Sequence, residues 1–247
     1  MATFLLVQPA WMGGWCWHKV ARDLRRRGHD VSAPTLTGLG ERAHLATRDV
    51  GLRTHVDDVV AVAEFDDLRD IVLVGTSSGG TVITGAASKM ADRLAALVYL
   101  DAFLPADGQC TFDQLPPDRR AVLEGLVETE GDGWVLPRFA PPPWPVILRE
   151  MWRVTDEADL NWMLPRLRPT PARHFRDPVS VAPGAAAPPR RVYVRCVGGG
   201  MPSPFDAVAA SVKGQPGWEY REIDAPHVPY VTHPADVTSM LEEVATR

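Results

Sequence analysis

Cysteine is scarce in this chain: Cys16, Cys110 and Cys196 are the only three in 247 residues, an odd count with no paired spacing. That excludes a disulfide framework and a thiolate zinc site as organising features, and it fits a reducing compartment. No apolar run approaches the roughly 20 residues that span a bilayer, so a membrane is not an expected partner. Met1-Ala2-Thr3-Phe4 places no basic segment ahead of an apolar one, so no secretory leader is expected and the chain reads as cytoplasmic. Positive charge is in deficit, with a formal net charge of −5. The single basic run, Arg25-Arg26-Arg27, closes a predicted helix just before Gly28, where cations complement the helix dipole. Nucleic acid is therefore not expected as a partner either. His44, His55 and His174 show no metal-ligand spacing and are expected to be surface or packing residues, with no metal bound. The pairs Asp57-Asp58 and Asp66-Asp67 are expected to be solvated. Gly38-Leu39-Gly40-Glu41-Arg42-Ala43 matches a dinucleotide fingerprint only loosely, without the helix opening or the acidic partner that a cofactor needs.

What is present is a regular alternation of strand and helix signals. Residues 3–8, 30–33, 71–74, 95–100, 191–196 and 220–223 read as strands. Helical stripes run through Trp17, Val20, Ala21 and Leu24, through Val56, Val59, Val60 and Ala63, and through Val237, Met240, Leu241 and Val244. Such alternation predicts an α/β fold: a mostly parallel sheet of six or more strands with helices on both faces. Residues 103–189 break the rhythm. They carry Pro141-Pro142-Pro143, Pro145 and four of the eight tryptophans, namely Trp134, Trp144, Trp152 and Trp162. The reading is a core of residues 1–102 and 190–247, with 103–189 inserted as a mainly helical cap over the strand ends where α/β proteins bind ligands.

Gly75-Thr76-Ser77-Ser78-Gly79 sits between the apolar run Ile71–Val74 and the small residues that open the next helix. G-x-S-x-G in a strand–turn–helix setting puts a serine hydroxyl on a sharp turn above the sheet, which makes Ser77 the candidate nucleophile. A serine hydroxyl needs a base to take its proton, and in this fold the base comes last in the chain. His227 follows the last strand by a short loop and is preferred over His233, which opens the final helix. The orienting acid is Asp101, at the end of the strand after the elbow, or else Asp206. The loop after Cys196, its commonest position, reads Val197-Gly198-Gly199-Gly200-Met201 and holds no carboxylate. Oxyanion donors are expected from the backbone N–H groups of Ser78 and Ala10, since Pro9 has none. Trp11, Thr76, Trp134, Trp144, Trp152 and Trp162 are candidate pocket residues.

These motifs together resemble one branch of the α/β-hydrolases, the branch of plant methylesterases, hydroxynitrile lyases and bacterial carboxylesterases. The resemblance rests on Leu6 to Trp17, Pro34 to Gly40, the elbow, Tyr99 to Pro105, and His227, and it covers nearly the whole chain. It implies Ser77 and His227 as nucleophile and base, Ala10 and Ser78 as oxyanion hole, and no cofactor. The chain departs from the branch's esterases at Gln8-Pro9, where they carry His-Gly, and at Thr76, where the elbow usually has histidine. The expected function is a serine esterase acting on a small-to-medium apolar ester or lactone through an acyl-serine. The alternatives are a lyase or tailoring enzyme using the same Ser/His pair without an acyl step, and a non-catalytic small-molecule binder. Monomer and homodimer are both compatible with the sequence.

Overall fold

In the computed structural model, residues 1–138, 143–181, 184, 190–199 and 203–246 are described. Pro141 and Pro142 of the proline run, and Gly200 and Met201 after the seventh strand, lie outside them. Six strands form one all-parallel sheet: β1 (Thr3–Val7), β2 (Asp30–Ser32), β3 (Ile71–Ser77), β4 (Leu94–Ala102), β7 (Arg191–Cys196) and β8 (Trp218–Ile223). Two short strands, β5 (Val135–Leu136) and β6 (Thr170–Pro171), pair antiparallel outside it. The order across the sheet is β2-β1-β3-β4-β7-β8. The chain thus leaves β1 toward one edge and returns on its other side at β3.

Alternation along the central strands explains why the sheet is buried on both faces. Phe4 and Leu6 of β1 and Val72 and Val74 of β3 enter one apolar cluster, shared with Trp17, Val20, Leu24, Val237 and Leu241. Their neighbours Leu5, Val7, Ile71 and Leu73 enter the opposite cluster, with Val56, Val59, Val82 and Ile83. A period of two therefore feeds two cores, and continuous apolar runs are the signature of strands covered on both sides. The covering helices are α1 (His18–Arg26) and α10 (Pro234–Ala245) on the first face, and α2 (Leu52–Phe65) and α3 (Gly79–Lys89) on the second.

Between β4 and β7 the chain carries α4 (Pro117–Glu130), α5 (Pro143–Val146), a π-helical turn over Ile147–Met151, α6 (Glu157–Met163) and α7 (Arg173–Arg176), along with β5 and β6. After β7 come α8 (Pro204–Val212) and, following β8, α9 (Pro229–Thr232). Among the described residues, no helix is long and apolar enough to cross a membrane.

Candidate active site

The elbow forms because its glycines admit close backbone approach. A Cβ on Gly75 would lie 2.7 Å from the Gly79 carbonyl oxygen, and one on Gly79 would lie 2.8 Å from the Gln8 oxygen. Between them Ser77 adopts φ 52°, a left-handed conformation that an L-residue holds only when its surroundings impose it. The turn lifts Ser77 off the carboxyl end of β3 into a cavity of about 300 Å³. The other walls come from the carboxyl ends of neighbouring strands and from the insert, the place where open α/β sheets take ligands.

His227, in the loop between β8 and α9, lines the same cavity. Its Nδ1 lies 2.7 Å from Asp101 Oδ2. The other Asp101 oxygen accepts from Arg195 Nη1 at 2.6 Å and from the Cys196 N–H at 3.2 Å. Asp101 is buried and sits at φ 46°, a second left-handed residue at the site. Because the carboxylate only accepts, the His227 Nδ1 donates in this contact, and Nε2 is the nitrogen left facing away from Asp101. The ring is held flat against Phe205 (centroids 4.9 Å, 13° between planes) and meets the edge of Trp152 at 5.5 Å.

Asp206 does not reach the histidine. It opens α8 in a capping box with Ser203 and pairs with Arg195, its Oδ1 2.7 Å from Nη2. Partial burial raises its pKa, but the Ser203 N–H and Arg195 outweigh that and hold the carboxyl below the ordinary range. Arg195 is thus clamped between two carboxylates. Burial acts to discharge the guanidinium, Asp101 and Asp206 act against it, and the balance is a raised pKa. Sequence reasoning did not single out Arg195; the only cue was a charge in an otherwise apolar strand end. His233 stands at the N-cap position of α10 without a side-chain capping bond, its Nδ1 2.8 Å from Thr232 Oγ1.

The loop after β1 carries the other expected donor. Its Ala10 N–H is engaged by the Ser78 hydroxyl oxygen at 2.8 Å. Trp11 follows at φ 63°, an unusual conformation for a large side chain, and the insert clamps it there. Its N–H donates to Thr170 Oγ1 (2.8 Å), its indole Nε1 to Pro137 O (3.1 Å), and its carbonyl accepts from the Arg168 N–H (2.9 Å). Gln8 is fully buried and braces the next loop: its amide nitrogen donates to Pro34 O and its oxygen accepts from Leu36 N–H, both at 2.9 Å.

Of the six expected pocket residues, Trp11, Trp144 and Trp152 line the cavity. Thr76, Trp134 and Trp162 do not, and those three expectations are corrected. Thr76 is fully buried in β3 beneath the elbow. Trp134 lies under the Arg48 guanidinium, 5.7 Å from the ring centroid, and Trp162 packs edge-on against Trp15 at 5.1 Å. Helical or loop spacing names aromatic residues without saying which way they turn. The lining adds residues the sequence did not flag, among them Phe103, Leu115, Phe175 and Phe205, with Arg119 as a half-buried cation. His55 and His174 are packing residues, fully buried and hydrogen-bonded. One further expectation changes: Asp58 is not simply solvated but accepts from the Thr37 N–H (2.6 Å) and hydroxyl (2.9 Å). Among the described residues, no group of three or more His, Cys, Asp or Glu side chains is arranged to hold a metal ion.

A serine on a strained elbow and a histidine with a buried carboxylate behind it, lining one cavity, are features of the hydrolase class of α/β folds. Residues 4–239 match the model of the alpha/beta hydrolase family, and the chain belongs to that family. It is 37% identical to the carbendazim hydrolyzing esterase of Nocardioides sp. (strain SG-4G), over 98% of each chain. It is 24% identical to methylesterase 7 of Arabidopsis thaliana, over 99% of this chain and 96% of that one. Among solved structures, it resembles an extracellular alpha/beta-hydrolase from a Paenibacillus species (TM-score 0.84, 23% identity, 99% of each chain). It also resembles tomato methylketone synthase I (TM-score 0.76, 18% identity, 99% of this chain and 98% of that one); at these identities both likenesses concern the fold. The chain is an enzyme of the carboxylesterase type, a serine ester hydrolase.

Proposed function

We propose that this enzyme hydrolyses a small-to-medium apolar ester through an acyl intermediate on Ser77, with His227 as base and Asp101 as the orienting acid. The 2.7 Å contact between Asp101 and His227, in the cavity that Ser77 enters, carries the reading. In the first step the Ser77 Oγ attacks the substrate carbonyl carbon while His227 Nε2 takes its proton. The imidazolium so formed donates from Nδ1 to Asp101, whose charge stabilises it. Negative charge on the tetrahedral oxygen is met by the N–H groups of Ser78 and Ala10, the latter shared with the Ser78 hydroxyl. His227 then protonates the leaving alcohol, and a water activated by the same nitrogen releases the acid. No step requires a cofactor.

Residues 103–189 act as the cap in this proposal, and the apolar part of the substrate rests on Trp11, Trp144, Trp152 and Phe175. Hydrolysis of carbendazim by a relative supports water addition over elimination. The buried Gln8 amide is occupied as a loop brace, so its replacement of the branch's histidine needs no different chemistry. Three buried cysteines without a disulfide partner support a reducing, cytoplasmic setting. The test is intact-mass spectrometry after a fluorophosphonate and after p-nitrophenyl acetate. A stoichiometric adduct and a burst of nitrophenolate are expected for the native chain, and neither for Ser77→Ala. Turnover with no acyl-enzyme would move the assignment to a lyase-type mechanism.

A further inference from the structure

We propose that His174 and His55 are positioning residues for the oxyanion hole, orienting the Ser78 hydroxyl so that it accepts from the Ala10 N–H and holds that loop against the elbow. The proposal rests on the catalytic reading above. A single hydrogen-bonded chain carries it. Ala10 N lies 2.8 Å from Ser78 Oγ, Ser78 Oγ lies 2.9 Å from His174 Nε2, His174 Nδ1 lies 2.8 Å from His55 Nδ1, and His55 Nε2 lies 2.9 Å from the Thr37 carbonyl oxygen. Ala10, Ser78, His174 and His55 are all buried. The chain joins the loop after β1, the start of α3, α7 of the insert, α2 and the loop after β2.

The proton order along it is one-way. The Thr37 carbonyl can only accept, so His55 Nε2 donates. In a neutral ring the His55 Nδ1 then accepts, so His174 Nδ1 donates and its Nε2 accepts. The Ser78 hydroxyl must therefore give its proton to His174 and offer a lone pair to Ala10. Reversal would set two lone pairs against each other at Thr37, and a third proton would come to lie on His174 Nε2, which would then donate to Ser78 Oγ and leave the Ser78 hydroxyl proton without its acceptor. Burial pushes both imidazoles below their ordinary pKa, His174 the further because His55 adds to the effect. The carboxylates of Asp58 and Asp177 and the Thr37 carbonyl oppose the shift at His55 without cancelling it. A core histidine pair with no functional role would satisfy itself in the same way. Here, however, the last acceptor is fixed on the N–H that the reaction uses.

The experiment compares His174→Leu, His174→Gln, Ser78→Ala and the Ser78→Ala/His174→Leu double variant in single-turnover acylation by p-nitrophenyl acetate. His174→Leu and Ser78→Ala should each slow acylation about tenfold or more, since small misplacement of a transition-state donor is felt in rate. KM should stay within about twofold, because none of these groups lines the substrate cavity. Gln, which accepts through Oε1 and donates through Nε2, should recover most of the rate. The double variant should be no slower than the slower single one, because both remove one interaction. Imidazole ¹⁵N–¹H spectra of the native chain should show two exchange-protected, neutral rings that do not titrate between about pH 7 and 5.5. Rings that titrate near 6.5, additive losses in the double variant, or a folded His174→Leu that acylates at the native rate would each overturn the proposal. If His174→Leu does not fold, Ser78→Ala and the spectra decide it. A native chain that fails to acylate while its rings stay neutral counts against the catalytic reading alone.

Discussion

Ser77, Trp11 and Asp101 share a backbone conformation that their side chains disfavour, and all three stand at one cavity. Residues held at positive φ cost of order 1 kcal/mol or more each, and they cluster where a side chain must be aimed. Ser77→Gly should therefore gain about 1 kcal/mol in urea denaturation while losing activity, because glycine meets no penalty at φ 52°. Ser77→Ala should lose the activity without that gain. On the role proposed for Asp101, Asp101→Asn should lower kcat by about 10⁴, since an amide does not stabilise the imidazolium and favours the wrong tautomer. Arg195 behaves differently. Its side chain is 10% exposed and touches Asp101 and Asp206. Arg195→Ala should cost about 3 kcal/mol or more of stability, read by chemical denaturation, because it leaves a buried carboxylate short of its partner.

The element that positions the chemistry is the β3–α3 turn, and its sequence signal was legible because glycines at 75 and 79 are demanded by backbone contacts rather than by side-chain choice. Gly79→Ala would drive a methyl group against the Gln8 carbonyl and push the loop after β1 away. A loss of about 2 kcal/mol, together with slower acylation, is expected from parallel stability and burst measurements. Helix α1 was equally legible: its apolar stripe is buried, Arg25 and Arg26 occupy its last turn, and Gly28 follows at φ 87°. The insert was legible only as an interruption. Its tryptophans gave no sign of direction, so Trp144 and Trp152 at the cavity could not be told from Trp134 and Trp162 outside it.

Across the whole molecule, acid sensitivity should follow from the buried histidine pair. Both rings are held below the ordinary value of 6.5 in the folded chain. The unfolded chain therefore binds more protons once the pH drops through 6.5. Stability is complete above that value and is lost progressively as pH falls toward the depressed folded values. Thermal denaturation across pH 7.5 to 5 should trace this decline, and His174→Gln should flatten it. The sheet order also gathers the site: Ser77 and Asp101 lie at the carboxyl ends of β3 and β4, Ala10 and His227 in the loops after β1 and β8, and the strand ends bring them to one edge.

By itself the sequence determined the α/β alternation, the elbow, the nucleophile and base candidates and the esterase branch, because each depends on local spacing or on backbone space that only glycine leaves. Tertiary structure alone decided which of Asp101 and Asp206 touches His227. Both carboxylates pair with Arg195, but Asp101, at the end of β4, turns its second oxygen to His227, whereas Asp206 turns its own to the N-terminus of α8. Tertiary structure also turned His55, His174 and Ser78, three residues 23 to 119 positions apart, into one hydrogen-bonded chain. No sequence period encodes such a chain, since its order is set by burial and by a carbonyl that can only accept.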